Sequence, residues 1–285
     1  MSERKANSDQ IEFWSGATGE MWVRFESMLD AQLEPFGKAA LKVAGLTDGM
    51  RVVDVGCGCG ATALAASRAV GASGNVLGVD ISTPMLARAR ERASREGLDN
   101  LRFENADAQT YTFPPAGTDA VVSRFGVMFF DDPTAAFANI ATTLSPGGTV
   151  TFACWQGIDR NPWMMVPVVE ALALIEIELP TDPNAPGPFA FADSGRVRGI
   201  LESAGLRQVR LTSFEPELAV AGGQELDAAV DFLMQLGPMR RALSNAASDQ
   251  CDAVRTAVRG AIAPYERHDG VIMPSAAWIV SATKP

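Results

Sequence analysis

Three acids close three short apolar runs, and the first run leads into glycines. Val52-Val53-Asp54-Val55 is followed by Gly56-Cys57-Gly58-Cys59-Gly60, and Ala61 to Arg68 behind it reads as a helix. Glycines between a buried strand and a helix N-terminus permit a sharp turn and let the backbone approach a ligand closely. Such a loop is a nucleotide cradle. By spacing alone, Gly56-x-Gly58-x-x-Ala61 passes as the dinucleotide fingerprint with Ala in its last place. Asp54 tilts the balance, because a carboxylate at the base of the cradle repels a pyrophosphate and suits an ammonium or sulfonium group. The same carboxylate can instead accept hydrogen bonds from loop amides.

Asp80 ends the second run, Asn75-Val76-Leu77-Gly78-Val79-Asp80. A βαβ unit places an acid there against ribose hydroxyls. Ser82, directly before Thr83-Pro84, is the better cap for the following helix and leaves Asp80 to the ligand. Asp107 ends a third strand, Leu101 to Ala108.

These acids need a sheet to carry them. A fourth strand, Asp119 to Ser123, precedes Arg124-Phe125-Gly126. Then come a helix from Pro133 to Leu144, capped from Asp131-Asp132, the turn Ser145-Pro146-Gly147-Gly148, and a fifth strand, Thr149 to Cys154. Residues 9–45 read as helical, with Trp14, Trp22, Phe25, Met28, Leu29 and Leu33 on an apolar face.

The order of motifs resembles the class I S-adenosylmethionine-dependent methyltransferases, within the group of small-molecule enzymes related to the ubiquinone and menaquinone C-methyltransferases. VVDVGCGCG, GVDIS, NADAQ, FDDP and LSPGG carry the resemblance, in order between Val52 and Gly148, and Phe13-Trp14-Ser15-Gly16 through Trp22-Val23 looks like the leading segment of bacterial members. The loop departs from the family in having Cys59 where Thr or Pro is usual. The resemblance implies a Rossmann-like α/β fold: a seven-stranded sheet with helices on both faces and a mostly helical lid. It also implies S-adenosyl-L-methionine as cofactor and S-adenosyl-L-homocysteine as product. Carried over to this chain, Gly56, Gly58 and Gly60 pass beneath the methionine part, Asp54 favours its charge, and Asp80 with Ile81 grips the ribose side. Asp107 and Ala108 read the adenine amino group, Met85 packs on the adenine face, and Ser123 and Arg124 approach the methionine moiety and acceptor.

Beyond Cys154 the chain exceeds a minimal domain. A helix is expected from about Pro167 to Leu179, then a proline-rich stretch from Pro180 to Pro188, then a helix capped by Asp193-Ser194 and ended by Gly205. Gln208 to Leu218 reads as a sixth strand, Gly222 to Ala263 as helical, and Ala277 to Ala282 as a terminal strand, antiparallel if the family pattern holds. The expected division is a leading segment (1–45) closing over the cofactor, a cofactor-binding core (46–156) and a lid insertion (157–192). A core continuation (193–221), a helical lid (222–270) and a terminal strand (271–285) follow. Both insertions leave the carboxyl ends of the strands, where open α/β sheets bind ligands, so they are expected to enclose an apolar acceptor pocket. Trp14, Phe125, Phe129, Trp155, Trp163, Met164, Phe232 and Met239 are its expected lining, although aromatic and methionine stripes at helical spacing also serve as plain core.

A net charge of −10 argues against a nucleic-acid substrate, and the most apolar stretch, Trp163 to Ile177, holds two glutamates and a proline and is no membrane span. Met1 to Ser8 lacks the apolar core of a signal peptide, so a cytoplasmic location is expected. Four cysteines show no zinc spacing, and no metal is expected. His268, the sole histidine, is the candidate general base, with Tyr265, Asp131 and Asp132 as weaker ones. Two other functions use the same loop: an NAD(P)-dependent oxidoreductase, or a catalytically silent S-adenosylmethionine-binding regulatory protein.

Overall fold

The computed structural model describes residues 6–285; positions 1–5 of the expected leading segment, and with them most of the stretch read for a signal peptide, lie outside the described residues. The chain opens with three helices, α1 (Ser8–Ser15), α2 (Ala17–Arg24) and α3 (Glu26–Ala44). The core follows as β1 (Arg51–Val55), α4 (Ala61–Val70), β2 (Asn75–Asp80), α5 (Thr83–Glu96), β3 (Leu101–Asn105), β4 (Thr118–Arg124), α6 (Pro133–Thr143) and β5 (Leu144–Trp155). Then come α7 (Pro162–Leu172), α8 (Ser194–Ser203), β6 (Arg207–Phe214), β7 (Glu217–Ala219), α9 (Leu226–Met234), α10 (Gly237–Leu243) and α11 (Ser248–Ile262). The chain finishes with β8 (Glu266–Arg267), β9 (Gly270–Pro274) and β10 (Ala277–Thr283).

Seven strands form one sheet in the order β3-β2-β1-β4-β5-β10-β6. β1 pairs in parallel with β2 and β4, which sets Asp54 beside Gly78 on one side and Val122 on the other. β10 runs antiparallel between β5 and β6, as expected. Alternate residues of the central strands serve two cores, because strand side chains alternate across the sheet. Val53, Val55 and Val121 join Phe36 of α3, whereas Val52, Ala120 and Val122 join Leu64 of α4 and Leu86 of α5. Helices therefore cover both faces.

Three expectations about elements need correction. Ser145 to Gly148 is an irregular part of β5 itself, with Gly147 at φ 80° and a register shift against β4 between Thr118 and Ala120. α7 starts with Pro162 in its first turn and ends at Leu172, well before Leu179; proline suits the first turn, whose amides need no intrahelical partner. The sixth strand stops at Phe214, and after Pro216 the chain forms β7 in a separate three-stranded sheet with β9 and β8. That small sheet was hidden because its strands are two to five residues long.

Candidate active site

Gly56, Gly58 and Gly60 all have positive φ, at 66°, 54° and 87°. A Cβ on Gly56 would stand 2.6 Å from Gly126 Cα, and one on Gly58 would stand 2.7 Å from Met85 Cε. At Gly56 both the conformation and the close backbone approach require glycine, and at Gly58 the left-handed conformation does. The Gly56 and Cys57 amides donate to Val79 O at 2.8 and 3.2 Å, folding the loop over the end of β2. Asp80 holds it there: Oδ2 accepts from Gly58 N at 2.7 Å and Oδ1 from Ser82 N at 2.8 Å. The carboxylate is thus a fastener of the loop, which the sequence reading, leaving it to the ligand alone, did not foresee. Each oxygen keeps a further acceptor site for a ribose hydroxyl. Ser82 caps α5 as expected, accepting from Met85 N at 3.4 Å.

Asp54 is fully buried, and neither of its oxygens has a hydrogen-bond partner. Burial pushes its carboxyl up to about 8; the Arg124 guanidinium opposes this, Asp80 adds to it, and the nearby Ala63 amide eases it without closing a hydrogen bond of normal geometry. Arg124 is shared with a charged cluster that the sequence reading missed. Asp30 bonds Arg124 at 3.0 Å and Arg92 at 2.8 Å; Glu26 bonds Arg92 at 3.2 Å and also pairs with Arg88. Arg92 Nη1 also donates to Cys59 O at 2.9 Å, so the cluster grips the glycine loop. The readable signal was two i,i+4 pairs, Glu26–Asp30 and Arg88–Arg92, each putting like charges on one helix face.

The leading segment lies across the ends of β2, β3 and β4. Ser82 Oγ donates to Trp14 O at 2.7 Å, and Ser15 Oγ donates to Ile81 O at 3.0 Å. Asn7, another residue the sequence did not reveal, is buried in the left-handed region at φ 54°. Its Nδ2 donates to Asp107 Oδ1 (2.9 Å) and Gln109 Oε1 (3.1 Å), while its backbone and side chain exchange 2.7 Å bonds with Asp131. Asp107 Oδ1 also accepts from Gln109 N at 2.9 Å, beside the buried Ala108. Ser123 Oγ accepts from Gly126 N at 3.2 Å and braces the turn after β4.

The expected pocket residues fall into separate groups. Phe125, in the left-handed region at φ 61°, stacks on Trp155 at 4.0 Å and 12°, and Trp155 meets Trp163 at 5.4 Å. Phe36 packs edge-on against Phe125, Trp155 and Phe214. Trp14 and Phe129 form a second group, 5.1 Å apart, with Trp22 against Trp14. Phe232 is fully buried against Phe25 at the α2–α3 junction, Met239 is buried on α10, and Met164 is half-buried on α7. His268 is not brought to this region's interior: its side chain is 94% exposed beside Asp269.

The arrangement fits S-adenosylmethionine. Asp54 is an unpaired buried carboxylate under a loop of glycines, and a sulfonium or ammonium cation supplies the charge it lacks. A parallel sheet with a glycine loop over a buried acid defines a nucleotide-binding α/β class. The comparisons say which. A family profile described as "Methyltransferase domain" matches residues 52–148. Nocamycin O-methyltransferase of Saccharothrix syringae is 30% identical over 219 residues, covering 71% of this chain and 77% of that protein. Aklanonic acid methyltransferase of a Streptomyces species is 36% identical, over 41% of this chain and 54% of its own length. The match therefore spans about half of that relative. The phosphoethanolamine N-methyltransferase 2 of Haemonchus contortus, solved with S-adenosyl-L-methionine, shares the fold at a TM-score of 0.58 and 20% identity, over 99% of this chain and 61% of that one. The chain belongs to the class I S-adenosylmethionine-dependent methyltransferases of small-molecule type.

Proposed function

We propose that this chain moves a methyl group from S-adenosyl-L-methionine to an apolar or aromatic small molecule by in-line displacement. The observation that carries the reading is Asp54, buried and unpaired beneath Gly56 to Gly60. When bound, S-adenosylmethionine supplies an electrophilic methyl on a sulfonium centre. Asp54 favours that positive charge, and Arg124, already shared with Asp30, can meet the methionine carboxylate. Asp80 offers its remaining lone pairs to the ribose, Asp107 its carboxylate to the adenine amino group, and Met85, whose methyl sits over Gly58, an apolar surface to the base. The helices of the leading segment and the lid exclude water, which strengthens these electrostatic contacts and holds the reactants in line.

With His268 at the surface, the acceptor enters already ionised or gives its proton to water. The relatives named for aklanonic acid and nocamycin support an acceptor of that small-molecule kind. The net charge of −10 supports it over a nucleic acid. Among the described residues no helix is long and apolar enough to cross a membrane. The four cysteines are free thiols, which supports the reducing cytoplasm as the compartment.

Calorimetry with S-adenosylmethionine, S-adenosylhomocysteine and NAD tests the reading. Binding of both methionine nucleotides and not NAD is expected; binding of NAD alone would overturn it. Tight cofactor binding without turnover on a broad panel of phenols, quinones and amines would instead favour a regulatory cofactor-binding protein.

A further inference from the structure

Asn7 reaches from the start of α1 into the loops that follow β3 and β4. It is 2% exposed, and its backbone lies in the left-handed region at φ 54°, which asparagine tolerates better than most side-chain-bearing residues. Its carbonyl accepts from Ile11 N at 2.9 Å and so begins the helix. On one side Asp131 clamps it: Asn7 N donates to Asp131 Oδ2, and Asn7 Oδ1 accepts from Asp131 N, both at 2.7 Å. A backbone N–H can only donate, so Oδ1 is the atom that must face Asp131 and Nδ2 the one that faces away. Both Nδ2 hydrogens are then used on the far side, on Asp107 Oδ1 at 2.9 Å and on Gln109 Oε1 at 3.1 Å.

Asp107 is left with two unequal oxygens. Oδ1 accepts from Asn7 Nδ2 and from Gln109 N, each at 2.9 Å, which fills both of its lone pairs. Oδ2 accepts from the Thr110 hydroxyl at 3.3 Å, in exposed surroundings, and keeps a lone pair for a ligand. The residue as a whole is half-buried, so the carboxylate is not sealed off. An aspartate carboxylate turns easily about its last torsion, and without the Asn7 donor only its own loop would hold Oδ1. We propose that Asn7 is a positioning residue for recognition of the cofactor's base: by holding Asp107 Oδ1, it fixes Oδ2 as the acceptor for the adenine amino group. An oxygen held in this way accepts from an amino group and rejects a carbonyl in the same place. The leading segment thus carries part of the selectivity for the base. This rests on the methyltransferase reading and on the role of Asp107 within it.

The test compares S-adenosylhomocysteine with S-inosylhomocysteine, which has a carbonyl oxygen in place of the amino group and a proton on the neighbouring ring nitrogen. Calorimetry on the full wild-type chain should show S-adenosylhomocysteine bound roughly thirtyfold more tightly, the scale of one hydrogen bond to a charged acceptor. Asn7→Gly suits the left-handed backbone and keeps its backbone bonds, whereas Asn7→Asp keeps the side chain's shape and replaces the donor with an acceptor. In both variants the preference should shrink to about threefold or less, the loss falling on S-adenosylhomocysteine while S-inosylhomocysteine binds much as before. Equal weakening of the two nucleotides would make Asn7 a staple of α1 and overturn the proposal. So would an unchanged preference, or tighter binding of S-adenosylhomocysteine by the variants. Either variant decides alone if the other does not fold. Indiscriminate binding of both nucleotides by wild type would remove Asp107 from base recognition, and the proposal with it. Failure of wild type to bind S-adenosylhomocysteine would instead sink the methyltransferase reading itself.

Discussion

Asp54 concentrates the chemistry of this molecule in one side chain. Its carboxyl is pushed by burial to about 8, far above the ordinary carboxylate value near ~3.9 that it regains on unfolding. Below the unfolded value both states hold the proton, and Asp54 contributes its full share of stability. As the pH climbs from about 4 to about 8, the unfolded chain has released the proton and the folded one has not. Stability then falls, and it levels off only once the folded carboxyl ionises. Urea unfolding of wild type and Asp54→Asn between pH 5 and 8 should show wild type losing ground, with a slope approaching ~1.4 kcal/mol per pH unit; a constant difference would mean that the carboxyl is not held protonated. A cation at the site reverses the preference, so affinity for S-adenosylmethionine relative to the uncharged sulfur of S-adenosylhomocysteine should rise over the same range. Asp80 makes a simpler prediction. Asp80→Ala removes the acceptor for Gly58 N and for Ser82 N, and cofactor affinity measured by calorimetry should fall by an amount on the order of 1–3 kcal/mol. Both acids were legible in the sequence because each ends a strand beside a glycine or a cap. The fastening of the loop by Asp80 was not, since it depends on where β1 and β2 stop in register.

At the scale of elements, short-range signals served where turn chemistry is local and failed where pairing is long-range. Ser82, Asp132 and Asp193 cap their helices as read, because a cap is decided within four residues. Asn7 was invisible, because its partners Asp107, Gln109 and Asp131 lie more than a hundred residues away in places. The α1–α2 corner shows how tightly this leading element is seated. Gly19 packs so closely that a Cβ would lie 2.0 Å from Trp14 O and 2.7 Å from Ser82 Oγ. Gly19→Ala should therefore lift the corner from the end of β2, an overpacking cost of ~1–3 kcal/mol. Limited proteolysis should cut the variant early in the first helices while the sheet core survives; a digestion pattern identical to wild type would mean that the corner yields without undocking.

Over the whole molecule, the cofactor half was readable in detail, whereas of the lid only the helical character of Gly222 to Ala263 was, for a physical reason. The sheet repeats strand, turn and helix, each with its own local signature, whereas the lid is defined by what its helices bury against distant partners: α9 against Phe25 ahead of α3, α7 against α11. The charged cluster ties the leading segment to the cofactor half. Glu26 and Asp30 come from α3, Arg88 and Arg92 from α5, and Arg124 from β4, with Arg92 reaching the loop at Cys59 O. The side chains of Glu26, Asp30, Arg92 and Arg124 are only 12–22% exposed, so each charge depends on its neighbours more than on water. Removing one member leaves another uncompensated, and removing both restores balance. A double-mutant cycle on Asp30→Asn and Arg124→Gln should accordingly show a coupling of ~1–3 kcal/mol in unfolding free energy, the double variant being less destabilised than the sum of the singles. Simple additivity would show that α3 is held by its apolar face alone, through Leu29, Leu33 and Phe36.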